Sequence, residues 1–238
     1  MTSMQRATLS RSRNTTAETP IFRDRREAGK QLGERLRELQ LGRNLIVLGL
    51  PRGGVPVALE VAKALAAPFD VIVVRKIGAP FNPELALGAV AFGGVTVWND
   101  ALLRELRIDE SDLESTLNRE QAELQRREQA YRGAEPMPDL KGLTVVLVDD
   151  GISTGATMHA AVLATRSLHP RSVIAAVPTS SVDSVERLEA VADGVLALAT
   201  PEPYYGVGAW YRQFPQLSDA EVVRCLEEAK ARRELVAP

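Results

Sequence analysis

Two short apolar runs, Asn44–Leu50 (NLIVLGL) and Phe69–Val74 (FDVIVV), bracket a Pro51-Arg52-Gly53-Gly54 turn and a helical stretch from Val55 to Ala66. Runs this short, rich in β-branched residues and without polar alternation, suit strands buried on both faces. The order strand, glycine turn, helix, strand predicts a parallel α/β sheet. The rhythm returns downstream. Strand Thr144–Val148 leads through a glycine turn into helix Ala156–Leu168. Strand Ser172–Val177, helix Ser181–Val191 and strand Gly194–Leu198 follow.

The flanking elements are less regular. Phe22–Leu41 reads as a helix with Ala28, Leu32, Leu36 and Leu39 on one face and Gly42 at its end. Between the two blocks, Arg75–Asn99 holds Gly78, Pro80, Pro83, Gly88, Gly93 and Gly94. It is expected to be a long irregular loop with one short strand at Val95–Trp98, and loops of that length are usually functional or disordered. Ser111-Asp112-Leu113-Glu114 reads as a capping box that opens a charged helix running to about Arg132. Leu113, Leu117, Leu124 and Tyr131 make a narrow apolar seam on it. Such a seam suits packing on the chain's own domain or, as the sharper alternative, a dimer contact. A homo-oligomer, as a dimer, is the expected assembly.

Hydrophobic residues make up 45% and charged residues 25%, and the net charge is -2. A sizeable core is affordable, and no global basic field points to nucleic acid. The single cysteine, Cys225, excludes an internal disulfide framework and reads as a packing residue. No apolar run approaches the roughly 18 residues of a membrane span. Residues 1–20 carry Arg6, Arg11 and Arg13 among Ser and Thr and lack a hydrophobic leader core. They are expected to be a disordered tail, and the location is expected to be cytoplasmic. Residues 21–238 then form one domain. Within it, 75–140 is a flexible loop with a helical insertion. Residues 200–238 form a C-terminal hood and a helix, which opens at a second capping box, Ser218-Asp219-Ala220-Glu221.

The chemistry concentrates in Val145-Val146-Leu147-Val148-Asp149-Asp150-Gly151-Ile152-Ser153-Thr154-Gly155-Ala156-Thr157. A buried strand ends in two acids, at the edge where open α/β sheets bind ligands. A Gly/Ser/Thr loop then runs into a helix, and free N–H groups at a helix start cradle phosphate. Carboxylates repel phosphate, so their place here needs a ligand with both hydroxyls and phosphate, as in a ribose 5-phosphate. A Walker loop needs a lysine after its last glycine, where Ala156 stands. Gly151-Ile152-Ser153-Thr154-Gly155 fits a nucleophile elbow. However, His159 and His169 are the only histidines, and no acid separates Ser153 from His169, so the usual order of the triad is impossible.

This segment resembles the PRPP-binding motif of type I phosphoribosyltransferases. Leu50-Pro51-Arg52-Gly53-Gly54 resembles the family's pyrophosphate loop, and Arg75-Lys76 a basic pair that reaches pyrophosphate. The phrases Pro51–Pro56, Glu84–Ala89 and Thr200–Pro203 are similar to a group of bacterial phosphoribosyltransferases of unassigned substrate, over roughly residues 21–225. The resemblance implies a type I phosphoribosyltransferase fold, a parallel sheet with helices on both faces and a helical insertion and hood. It implies that Asp149 and Asp150 hold ribose hydroxyls, directly or through the water of a Mg²⁺ ion. It gives the 5-phosphate to Gly151, Ile152, Ser153, Thr154, Gly155, Ala156 and Thr157, and the pyrophosphate to Arg52, Gly53, Gly54, Arg75 and Lys76. Arg52, Lys76, Asp149 and Asp150 would be the catalytic set.

The implied reaction transfers the 5-phosphoribosyl group of PRPP to a nitrogen nucleophile, a nucleobase-like acceptor, and releases pyrophosphate. Ser153 stands where members acting on 6-oxopurines usually carry an aspartate, which argues against hypoxanthine or guanine. Tyr204, Tyr205 and Trp210, which cluster with Tyr211, are the acceptor candidates, since aromatic faces stack flat rings, and the equal alternative is that the cluster merely covers the sheet edge. The alternative is a non-catalytic PRPP- or nucleotide-binding regulator of the same fold. A nucleic-acid partner would need a basic surface. Arg25-Arg26, Arg126-Arg127 and Arg232-Arg233 are scattered among acids instead.

Overall fold

The computed structural model describes residues 21–236. The tail read at residues 1–20 lies outside them. Five parallel strands form the main sheet: β1 (Leu45–Gly49), β2 (Phe69–Val71), β6 (Thr144–Val148), β7 (Ser172–Thr179) and β8 (Gly194–Ala199). Their order is β2-β1-β6-β7-β8. Residue parity assigns the faces. Leu45, Val47, Val146 and Val148 pack with helices α1 (Arg25–Glu38), α2 (Gly54–Leu65) and α7 (Asp219–Val236). Ile46, Leu48, Val145 and Leu147 pack with α5 (Ala156–Arg166) and α6 (Val182–Glu189). Both faces are therefore covered, as the unbroken apolar runs require.

The helix after β1 lies on one face and the helix after β6 on the other. The strand order reverses between these two neighbours, so a crevice opens at their C-terminal ends. That crevice brings the Pro51–Gly54 turn against Asp149 and Asp150, from segments about a hundred residues apart.

The stretch expected to be irregular is a second sheet. β3 (Val74–Ala79), β4 (Asn82–Ala91) and β5 (Val95–Trp98) pair antiparallel in the order β3-β4-β5. Gly88, one of the glycines that argued for a loop, serves packing instead. A Cβ on Gly88 would lie 2.6 Å from the Trp98 ring, which crosses over that position. Ile77, Ala79, Leu87 and Ala89 supply the buried alternation of a half-covered sheet. Helix α3 (Asp100–Leu106) was not legible in the sequence. The capping box sits two residues early: the Asp112 side chain accepts from the Asp109 N–H at 3.0 Å and caps a 3₁₀ turn ahead of α4 (Glu114–Arg132). The second box is formed as read, with Glu221 accepting from the Ser218 N–H at 2.8 Å.

The α4 seam is buried inside the chain. Leu113 joins the core of the second sheet, while Leu124 and Tyr131 join the main core. It is therefore not a free face for a second copy. Leu124→Ala is expected to cost about 2–5 kcal/mol, as for other fully buried leucines. Urea midpoints at two protein concentrations check this, because a seam shared between copies would give a concentration-dependent loss.

Candidate active site

Asp149 and Asp150 stand at the C-terminal end of β6, and they are not equivalent. Asp150 Oδ2 is held by Arg25 Nε at 2.8 Å, with both side chains buried. Arg25 also donates to the Pro215 carbonyl at 2.9 Å and lies over the Phe214 ring, 3.8 Å from its centroid. The Tyr211 hydroxyl donates to the Asp150 carbonyl at 2.5 Å. Among the described residues no cation is hydrogen-bonded to Asp149. Its Oδ1 accepts from the Asp150 N–H at 2.8 Å. Burial, then the neighbouring Asp150, pushes the Asp149 carboxyl well above its ordinary range. Burial pushes Asp150 up as well, and the Arg25 guanidinium opposes it.

The two glycines of the first turn are explained by this pair. A Cβ on Gly53 would fall 2.1 Å from Asp150 Oδ2, and one on Gly54 would fall 2.5 Å from the Val148 carbonyl oxygen. The glycines let the β1–α2 turn pack onto the acids. The sequence had suggested only backbone approach to an anion.

The loop after the acids is anchored through its carbonyls. Ser184 Oγ donates to the Ser153 carbonyl at 2.7 Å, and Arg187 donates to that of Thr154 at 3.3 Å. The Ile152 N–H is spent on the Thr179 carbonyl at 2.9 Å. The N–H groups from Ser153 to Thr157 have no hydrogen-bond partner among the described residues. Ser153 and Thr154 are exposed, and Gly155 takes a positive φ of 78° as it turns the chain into α5. A row of free donors at a helix start results.

Pro51, Lys76 and Thr157 line one cleft of about 400 Å³, so the structure brings three predicted segments together. Arg75 lines it too, but its guanidinium is paired with the buried Glu120 at 2.6 Å. Arg52 sits 4.0 Å from Asp219 at the start of α7. The aromatic candidates separate. Tyr205 is exposed. Trp210 and Tyr211 are buried with Phe22 and Ala28, so they cover the sheet edge and offer no stacking face. Tyr204 lies between, its hydroxyl buried without a partner.

Sequence reasoning missed Arg25, Glu120 and Ser184. Arg25 carried a signal. It is the first residue of α1, where the helix dipole disfavours a cation, so its charge needed another partner. Glu120 and Ser184 carried none, being ordinary residues on polar helices. Among the described residues no group of three or more His, Cys, Asp and Glu side chains could hold a metal, and no helix is long and apolar enough to cross a membrane.

A family model for the phosphoribosyl transferase domain matches residues 25–197. Two Mycobacterium tuberculosis proteins, each named "Putative phosphoribosyl transferase", are 48% identical over 209 residues. The match covers 88% of this chain and 47% of each relative, so the chain spans about half the length of the curated relatives it matches. The crystal structure of TT1426 from Thermus thermophilus superposes with a TM-score of 0.81 at 48% identity, covering 87% of this chain and 98% of that one. With a parallel sheet of the type I phosphoribosyltransferase kind and an acid pair beside an open row of N–H donors, this chain belongs to the phosphoribosyl transferase domain family.

Proposed function

We propose that the chain binds PRPP with Mg²⁺ and transfers its phosphoribosyl group to a nitrogen nucleophile. One observation carries this reading: unpartnered N–H groups from Ser153 to Thr157 lie directly after two adjacent acids, a half-buried Asp149 and a buried Asp150. The donors suit the 5-phosphate and the acids suit ribose hydroxyls. Arg25 pre-orients Asp150, so that carboxylate meets the sugar without reorganising. Lys76, which lines the cleft, and Arg52, from the adjoining turn, stabilise the charge that develops on the leaving group. The bond from the anomeric carbon to pyrophosphate breaks, and pyrophosphate keeps the electron pair. The acceptor nitrogen supplies the pair for the new bond.

The donor set fits Mg²⁺, which takes one or two carboxylates and otherwise phosphate oxygens and water. Asp149 is the residue that would hold it, since Asp150 is spent on Arg25. Bound Mg²⁺ would neutralise part of the pyrophosphate charge. Tyr204 and Tyr205 remain as acceptor contacts.

Saturating PRPP with Mg²⁺ is expected to raise Tm. At a hundred times Kd the stabilisation is about 2.7 kcal/mol, which a thermal scan resolves as several degrees. Asp149→Asn should remove the shift. A shift that survives in that variant would sink the assignment. Pyrophosphate release over a panel of nucleobases and amines then tests for transfer.

A further inference from the structure

Helix α4 has two stripes. The apolar one is the buried seam. The other carries Thr116, Arg119, Glu120 and Arg127, and all four line the cleft that also contains Lys76 and Thr157. Glu120 is buried and sits between two guanidiniums. Arg75, from β3, binds its Oε2 at 2.6 Å, and Arg119 binds its Oε1 at 3.2 Å. Arg127 is steadied from its own helix by Glu123 at 2.7 Å. One buried carboxylate thus brackets cations from two different elements at one wall. Arg75, Lys76, Arg119 and Arg127 line the cleft with Glu120, and even with Glu123 behind Arg127 the cations of this wall outnumber its acids, in a chain whose net charge is -2. A local excess of that size, beside a row of free N–H donors, focuses anions into the cleft.

We propose that the α4 wall is a second anion subsite, separate from the 5-phosphate cradle, in which Arg119, Arg127 and Thr116 bind a phosphate-class anion. It deepens the PRPP reading and takes its place in the reaction from it. Guanidiniums recognise phosphate through paired N–H donors, which a lysine alone does not provide. The anion has two possible sources, the pyrophosphate of PRPP or a phosphate group on the acceptor. Either way the helical insertion does more than cover the sheet: it reads the end of the ligand far from the sugar.

Calorimetric titration of the full chain tests this, with pyrophosphate, inorganic phosphate and ribose 5-phosphate as probes. Arg119→Gln with Arg127→Gln is expected to weaken pyrophosphate by tenfold or more and ribose 5-phosphate by less than twofold. Glu120 keeps Arg75 in that variant, and circular dichroism confirms its folding. Arg127→Lys, which keeps charge but loses the paired donors, should fall between. A matching tenfold loss for PRPP identifies the leaving pyrophosphate as the anion. Unchanged PRPP affinity, with loss of inorganic phosphate binding at saturating PRPP, identifies an acceptor phosphate. Equal affinity of the wild type and the folded double variant for both pyrophosphate and phosphate overturns the subsite, as does a wild type that binds neither. A wild type that binds pyrophosphate but not ribose 5-phosphate refutes the cradle and leaves the α4 wall standing.

Discussion

Asp150→Asn is expected to destabilise the protein by about 3–5 kcal/mol, the usual result of removing one partner from a buried ion pair. Arg25 cannot shed its proton, so its charge stays buried against Phe214, with the Pro215 carbonyl and a neutral amide in place of a carboxylate. At roughly 2–4 °C per kcal/mol for a chain of this size, Tm falls by on the order of 10 °C. The neighbouring Asp149→Asn should move the other way. Its carboxyl is raised by burial and by Asp150, so the folded state binds a proton more tightly than the unfolded chain. Stability therefore rises as pH falls from the raised value toward the ordinary carboxylate range, and the cost of the charge is fully present above the raised value. The amide keeps the acceptor for the Asp150 N–H and removes that cost. Thermal scans of both variants from pH 5 to pH 8 check the pair. The gain from Asp149→Asn should be largest at the alkaline end and shrink on acidification. Equal losses in both variants would mean that Arg25 does not distinguish the two acids.

Gly54→Ala is the second large effect. Its new methyl would meet the Val148 carbonyl at 2.5 Å and the Asp149 backbone at 2.7 Å, and neither can step aside without breaking the β6 ladder. Overpacking of this kind costs about 1–3 kcal/mol and occasionally more. The upper end is expected here, because the methyl meets backbone atoms that no rotamer change can move. Gly53→Ala meets the Asp150 carboxylate at 2.1 Å, which only a side-chain shift away from Arg25 could relieve. A urea series should show both variants with lowered midpoints. Gly53→Ala should also lose the Tm shift with PRPP and Mg²⁺, since it displaces an acid rather than a strand.

These two results concern the part of the site that the chain's local pattern left open. Pro51–Gly54 and Asp149–Thr157 were each recognisable, because a glycine turn after an apolar run is a local signal. Their contact was not, since it depends on β1 and β6 being neighbours with helices on opposite faces. The second sheet was misread for a related reason. Gly88 looks like a turn residue until Trp98 is placed across it. The seam on α4 was read correctly as apolar, but its burial within the chain required the positions of the second sheet and α7. The aromatic cluster suits either stacking or cover for the sheet edge, and the fold decides for cover at Trp210 and Tyr211.

The elements of the main sheet, the loop that presents free N–H groups and the two acids before it are all legible in the chain's local pattern. Those follow from hydrophobic run length, glycine placement and helix-start chemistry, all of which act within a few residues. The division of labour between Asp149 and Asp150, the reason for Gly53 and Gly54, and the charged wall along α4 emerge once the chain is packed. Each depends on a partner distant in the chain, as Arg25 lies 125 residues from Asp150. A charge carries no record of which of many opposite charges it will meet, and burial, which sets its protonation, exists only once the chain has packed.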